Sequence, residues 1–434
     1  MQMKKPLFVP ALCASAFMLT GLAACSQQPQ ATPAVPASTT TMPATSAGAG
    51  KLRLERVVML MRHGVRSPTK AQVSPPGTND QPWPQWSVDP GMLTRHGADA
   101  ARLLGGWDRT NWMARGLFSG NGCPAAGDVT VAASSTPRTQ VTAHAWIEGF
   151  APACQIIASF PASKKDDVEF HPFDAGSMSI DPGKALQAEQ AMAPPGGLAA
   201  DVSDHASLFA LLNHAMGCEP KSACDISQMS SALVRSDDGP AKVGKAFGIP
   251  STISESIMLE YTEGMPMKDV AWGRLDQKQI ETLLQFHPIK FHYEARAPYV
   301  AAIAASPLAS RMLKAVGSGP KLTMLVGHDT NIADLAGMLD LHWQVPSFPR
   351  DDPPPGGAIG FEVLADASGK QFVHAFYRSQ TMDQIRNLDK LDAKNPASYS
   401  YLTIPGCAEI CPMADFERIV SAKLVKPEAA PAAH

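Results

Sequence analysis

LERVVMLMRHGVRSP, residues 54–68, is the stretch that decides the fold. Residues 54–61 are mostly apolar and β-branched at the centre, the pattern of a strand buried on both faces. That strand runs directly into Arg62-His63-Gly64-Val65-Arg66. A second buried run, LTMLV at 322–326, leads into Gly327-His328-Asp329-Thr330-Asn331. Helical patterns lie between the two. Thr94 can cap a helix running towards Met113, and Pro307 to Val316 reads as a helix that stops at Gly317-Ser318-Gly319. Buried strands mixed with helices predict an α/β layer architecture, with a mostly parallel sheet flanked by helices. Ligands of such sheets bind beyond the carboxyl ends of the strands, where both motifs fall.

The motifs carry matching chemistry. Guanidinium is planar, always charged and able to grip a phosphate with paired hydrogen bonds. Arg62 and Arg66 on one short loop repel each other unless an anion sits between them. Gly64 is expected to permit a tight turn there. The second loop adds an imidazole and a carboxyl group. Nucleophile, anion clamp and proton donor are the parts that phosphoryl transfer requires.

RHGVRSPTK at 62–70 followed far downstream by GHDTN at 327–331 resembles the histidine acid phosphatase family, in its branch of bacterial periplasmic phytases and acid phosphatases. GCP at Cys123, PRT around Arg138, APAC ending at Cys154, AWGRL around Trp272, PPGGAIGFE at 354–362 and SQTMDQIR at 379–386 extend the likeness over most of the chain. The resemblance implies that His63 is the nucleophile and becomes a phosphohistidine. It implies that Arg62, Arg66, Arg138 and His328 hold the phosphate, and that Asp329 arrives protonated and serves as proton donor. Neutral His63 must attack, and three nearby arginines would lower its pKa. Thr69, Lys70, Glu255 and Thr330 are candidate substrate contacts. No metal and no cofactor are expected. The family fold implies a helical insertion beside the cleft, at about 180–295, within an α/β domain of residues 51–179 and 296–425. One departure stands out: relatives carry acidic residues before the third arginine, whereas this chain has Ser134-Ser135-Thr136-Pro137.

Two motifs are decoys. Arg95-His96-Gly97 repeats the tripeptide but follows no buried strand, so His96 reads as structural. Gly239 to Lys245 fits a phosphate-loop pattern, but Ala246 stands where Ser or Thr is needed. No G-x-S-x-G elbow occurs.

The amino end reads as an export address. Lys4 and Lys5 precede an apolar stretch ending in Leu22-Ala23-Ala24-Cys25, which resembles a bacterial lipoprotein lipobox. Residues 1–24 would be the signal, Cys25 the lipidated first residue, and 25–50 an Ala/Thr/Pro/Ser tether. The outer membrane is favoured by analogy, with membrane contact only through Cys25. Residues 426–434 form a second polar tail. Six further cysteines remain in the folded part: Cys123, Cys154, Cys218, Cys224, Cys407 and Cys411. An even set in an oxidising compartment suggests disulfides. Many connectivities are open; the economical one joins neighbours, and zinc is the competing reading.

The 434 residues include 37 Lys plus Arg against 40 Asp plus Glu, a net charge of −3, which argues against a nucleic-acid partner. Hydrophobic residues make up 45%, enough for a sizeable core. The expected partner is a small phosphate monoester, acting on a monomer. Three functions stay open: a phosphatase, including phytase; a sugar-phosphate phosphatase such as a glucose-1-phosphatase; and a non-catalytic phosphate-binding lipoprotein.

Overall fold

The computed structural model describes residues 52–120, 122–237 and 239–426. The expected signal peptide, Cys25, the tether and residues 427–434 lie outside the described residues. Eight strands among the described residues form one sheet: β1 (Arg53–Arg62), β2 (Val129–Ala133), β3 (Ala158–Ser159), β4 (Leu322–Gly327), β5 (Ala358–Ala365), β6 (Gln371–Ser379), β7 (Ser398–Leu402) and β8 (Cys411–Pro412). The order is β3-β2-β4-β1-β5-β6-β7, with β8 beside β6.

Side-chain alternation along β1 explains its central place. Val57, Met59 and Met61 join Leu104, Trp107, Trp146 and Phe150 in one core. Val58 and Leu60 point the other way, into a core with Leu308, Met312, Ile332 and Leu335. A strand with both faces buried needs apolar residues at every position, as residues 57–61 supply. The first core is closed by α1 (Arg95–Ala114) and α2 (Pro137–Phe150). The second includes α9 (Pro298–Ser318) and α10 (Asp329–Leu339). Each large side chain so buried contributes roughly 1.5–3 kcal/mol before the cost of ordering the chain.

The sheet is mixed, not mostly parallel. β3, β2, β4 and β1 run parallel, whereas β5 to β8 pair antiparallel. A tight hairpin joins β5 to β6: Asp366 N–H donates to Lys370 O at 3.0 Å, and Gly369 adopts φ +85°. Such a turn forces antiparallel pairing.

Between β3 and β4 the chain is helical. α3 (Pro182–Gln190), α4 (Gly197–Asp204), α5 (Ala206–Met216), α6 (Lys245–Thr262), α7 (Gln277–Leu283) and α8 (Phe286–Glu294) fall within the span expected for the insertion. α7 and α8 are separated by a break at Leu284-Gln285. α9 starts well before Pro307, because Pro298 takes a first-turn position where a missing N–H costs little. α11 (Met382–Arg386) and α12 (Met413–Lys423) complete the fold. Disulfides join Cys123 to Cys154, Cys218 to Cys224 and Cys407 to Cys411, the neighbour pairing.

Candidate active site

Three parallel strand ends meet at one edge of the sheet. Arg62 is in register with Gly327, and Ala133 with Val326. His63, Ser134 and His328 therefore leave the sheet side by side. Backbone bonds fix their loops: His63 N–H donates to Gly327 O at 3.0 Å, and Gly356 N–H to His63 O at 3.1 Å. Arg378 pins that last contact from below. Its Nη1 donates to Gly356 O at 2.7 Å, and its Nε donates to the buried Asp108 at 3.0 Å.

His63 is buried, and its Nδ1 lies 2.9 Å from Gly64 O. A carbonyl only accepts, so the proton sits on Nδ1 and Nε2 keeps its lone pair. Burial, then Arg138, Arg62, Arg66 and His328, hold this imidazole well below its usual range. The motif displays only the arginines; burial outweighs them.

Gly64 supplies space instead of a turn. Its φ is not left-handed, but a Cβ there would meet Gly97 O at 2.8 Å. Gly97, from the decoy tripeptide, faces it: a Cβ there would sit 2.2 Å from Val65 O. The two glycines let the start of α1 press against the His63 loop. His96 turns away, with Nε2 2.8 Å from Ile385 O, a structural role. Gly244 of the other decoy caps α6, where a Cβ would meet Ser230 O at 2.5 Å.

The structure brings all three arginines to His63. Arg62 Nη1 donates to Pro353 O at 2.6 Å. Its Nη2 contacts Glu255 and lies 2.8 Å from Asp329 Oδ2. Arg66 Nη2 donates to Glu255 Oε1 at 2.9 Å. Arg138 Nη2 sits 3.2 Å from His328 Nδ1. Its pKa is pushed down to about 10, first by burial and then by Arg66, which leaves it charged in acid. The Nε atoms of Arg62, Arg66 and Arg138 are all buried without a hydrogen-bond partner. An unpaired buried donor costs roughly 1–3 kcal/mol, more when charged. Three guanidinium charges acting on one imidazole suit a multi-oxygen anion.

His328 lies edge-on to His63, with ring centroids 5.6 Å apart, and its Nε2 is 3.2 Å from Ser134 Oγ. Asp329 begins α10. Thr330 N–H and Oγ1 donate to its Oδ1 at 2.8 and 3.3 Å. Burial pushes Asp329 up, yet Arg62, His287, His63 and Arg66 together hold it well below the usual carboxylate range. The Arg62 contact thus favours the ionised carboxylate in the free site, opposite to the expectation that Asp329 arrives protonated. Glu255, on α6, also stays ionised: burial raises it, but Arg66 and Arg62 pull it below its ordinary value. It is a partner of both Arg62 and Arg66. Thr69 and Lys70 are exposed on the loop after Pro68, with Thr69 beside Gly91.

Several groups at the site carry no motif. His287, on α8, puts Nε2 3.9 Å from Asp329 Oδ2 and Nδ1 2.7 Å from Asp352 Oδ1. Its only signal in the sequence is a histidine and Lys290 at i, i+3 on one helix face. Asp167 and His171 lie behind His328. Glu255, His287 and Asp329 place one potential ligand atom each within 4.8 Å of one another. Arg62 and Arg66 already meet the charge of both carboxylates, so the cluster reads as an ion-pair network.

Residues 53–195 match the family model of the histidine phosphatase superfamily, branch 2. Phytase AppA of Escherichia coli K12 is 33% identical over 405 residues, spanning 86% of this chain and 92% of that protein. The chain belongs to the histidine phosphatase superfamily, branch 2. A glucose-1-phosphatase of Salmonella typhimurium is 29% identical over 85% of this chain and 92% of its own length. Among solved structures, Hafnia alvei phytase in complex with tartrate superposes with a TM-score of 0.80 at 35% identity, covering 87% of this chain and 98% of that one. As a branch 2 histidine phosphatase the chain is a hydrolase of the acid phosphatase and phytase type, and its fold is the histidine phosphatase fold.

Proposed function

We propose that this chain hydrolyses phosphate monoesters through a phosphohistidine at residue 63, and that its substrate is phytate. The observation that carries the reading is the set of three arginine charges acting on buried His63, whose Nε2 keeps its lone pair. Neutral Nε2 attacks phosphorus in line with the departing oxygen. Arg62, Arg66 and Arg138 take the non-bridging oxygens and neutralise charge as it develops; His328, expected as a further phosphate donor, instead steadies Arg138 through Nδ1. Asp329 gives the leaving oxygen its proton. Water then cleaves the nitrogen–phosphorus bond with the same carboxyl group as base.

Phytate is favoured over a sugar phosphate by added cations at the cleft. Lys70 is exposed beside Thr69, and Lys290 feels both Asp329 and Glu255. The Hafnia alvei phytase, 32% identical, has been solved in complex with myo-inositol hexakis sulphate, a polyanion of that shape. Glucose-1-phosphatase is the second reading, favoured by relatives at 29% and 27% identity. A non-catalytic binder would not need the free lone pair of His63. Three disulfides fit an oxidising compartment, and we extend this to a lipoprotein held at the outer membrane by Cys25.

Rapid quench into alkaline denaturant of enzyme turning over labelled substrate, in excess EDTA, should find phosphorus bonded to His63, and His63→Ala should abolish turnover. Full activity in that variant refutes the mechanism. Side-by-side turnover on phytate, glucose 1-phosphate and an aryl phosphate decides the substrate. Detergent partitioning that survives Cys25→Ala would remove the lipoprotein assignment.

A further inference from the structure

A leaving alcoholate needs a proton, and Asp329 in the free site faces Arg62 at 2.8 Å, whose charge favours the ionised carboxylate. The proton must come from a neighbour. Asp329 Oδ1 is occupied by Thr330, whose N–H and Oγ1 donate to it. Oδ2 has two neighbours: Arg62 Nη2 at 2.8 Å and His287 Nε2 at 3.9 Å. Arginine does not release protons in water. Imidazole does so near neutral pH.

His287 is built for that exchange. Its side chain is only 4% exposed, and Asp352, which faces its Nδ1 at 2.7 Å, is fully buried. An imidazole that donates Nδ1–H to a buried carboxylate has a fixed ring and a free Nε2. Asp352 Oδ2 makes no other hydrogen bond, so the whole of that carboxylate is left to His287 and the field around it. The groups facing the ring are Asp352 from the loop before β5, Asp329 from α10 and Glu255 from α6, with Arg62 from β1 and Arg66 from the loop after it opposing the last two. Arg62 and Arg66 pair with Asp329 and Glu255, whereas Asp352 is left facing the imidazole alone. Lys290, on the same helix, pairs with Glu294 at 3.5 Å.

We propose that His287, held by Asp352, is the proton reservoir that charges Asp329 for leaving-group protonation. The proposal rests on the phosphatase reading of the site. A phosphate dianion that takes over the Arg62 guanidinium frees Asp329 Oδ2 to close on His287 Nε2. As the His63 Nε2–phosphorus bond forms and the ester phosphorus–oxygen bond breaks, the leaving oxygen takes the Asp329 proton. Asp329 takes the Nε2 proton of His287, which ends neutral. In the second half, water adds to phosphorus and the nitrogen–phosphorus bond breaks. The proton lost by water returns through Asp329 to His287, so the site is restored with no outside reactant.

The test is His287→Asn, whose amide can still donate to Asp352 but cannot carry a proton, together with His287→Ala. General acid help contributes about 10²–10⁴-fold where the leaving group is poor and little where it is good. Turnover of an alkyl phosphate should therefore fall at least 10-fold more than turnover of p-nitrophenyl phosphate in both variants. Added imidazoles should restore the alanine variant in proportion to their basicity. Equal losses on both esters, or no rescue by any imidazole, overturn the relay. Quench labelling of His63 in the wild type separates the two readings. Label present with equal losses refutes the relay alone; label absent refutes the phosphatase mechanism and the relay with it.

Discussion

Asp167 Oδ2 accepts the Ser134 hydroxyl at 2.8 Å, directly behind the residue that abuts His328. The same oxygen accepts Ser135 N–H at 2.8 Å, and Oδ1 accepts Phe170 N–H at 3.1 Å. Asp167 is fully buried. The acidic residues missing before Arg138 are thus answered by a carboxylate from a distant loop. With its own proton committed to Asp167, the Ser134 oxygen is left to accept from His328 Nε2, which fixes a proton on that nitrogen. Asp167→Ala should leave three donors unpaired and cost about 2–3 kcal/mol of stability. Asp167→Asn keeps one acceptor and isolates the charge. It should weaken inhibition by inorganic phosphate about 10-fold, read in a competition assay, while the thermal midpoint moves little. Unchanged phosphate affinity would show that Asp167 only braces the loop.

Arg138 reports on the nucleophile. After burial it is the largest influence keeping His63 below its usual range. Arg138→Met removes that charge and leaves the burial. The His63 pKa should rise, so the acid limb of the kcat/KM profile should move to higher pH. Phosphate affinity should drop about 100-fold as a separate effect, since one charge-assisted contact pair is lost. An acid limb at the same pH in both proteins would assign that limb to another group.

How much of this is legible in the sequence follows from where each residue sits in the chain. The His63 and His328 loops each follow a buried strand, so local pattern and chemistry coincide within a few residues. The family resemblance offers Glu255 as a substrate contact, and its two arginine bonds put it in the site. His287, Asp352 and Asp167 come from a helix and two loops with bland local sequence. Their roles arise from what packs against them, which no window of the chain contains. The antiparallel half of the sheet does have a signal. ADASGK at 365–370 is a hairpin turn between two apolar runs, and an expectation of mostly parallel strands gives it too little weight.

Lys290 tests the substrate. Burial lowers its pKa, but Glu294, Asp329 and Glu255 raise it above its ordinary value, so the ammonium stays charged beside the cleft. A second phosphate on the substrate can reach such a charge; a single aryl phosphate cannot use it. Lys290→Ala should lower kcat/KM on phytate by about 5–20-fold, equivalent to ~1–2 kcal/mol, and that on p-nitrophenyl phosphate by under about 2-fold. Equal effects on both would place Lys290 outside the substrate's reach.

Gly97 tests the contact between the two Arg-His-Gly loops. A methyl group there would lie 2.2 Å from Val65 O, a backbone atom that cannot swing aside. Val65 O also accepts Thr94 N–H at 3.1 Å, so any shift loosens the start of α1 as well. Gly97→Ala should destabilise the protein by about 3 kcal/mol and lower kcat, because Val65 lies between Arg66 and His63. His96→Ala, on the same loop, should leave kcat within about 2-fold. Denaturant titration and steady-state kinetics on both variants check the pair.

Glu260 sets how stability depends on pH. Burial raises its carboxyl to about 8, against an ordinary value of 4.5, with the Ala271 N–H pulling down and Asp269 pushing up. Between those two values the folded protein keeps a proton that the unfolded chain has released. Stability contributed by this group is therefore complete below pH 4.5 and drains away as pH rises through about 8. A tenfold change in proton affinity is worth ~1.4 kcal/mol, so the loss is of order a few kcal/mol. Glu189, raised to about 7 by burial and by Glu294, acts with the same sign. Asp329 and Glu255, held low by arginines, act oppositely and weaken the fold only in strong acid. The thermal midpoint should thus be higher at pH 5 than at pH 8. Glu260→Gln keeps an oxygen for Ala271 N–H, which Oε2 now accepts at 3.0 Å, and removes the ionisation. Its midpoint should be nearly level with the wild type at pH 5 and clearly above it at pH 8. A wild-type midpoint that rises from pH 5 to pH 8, or a glutamine variant that falls as steeply as the wild type, would mean that Glu260 ionises at its ordinary value in the folded protein.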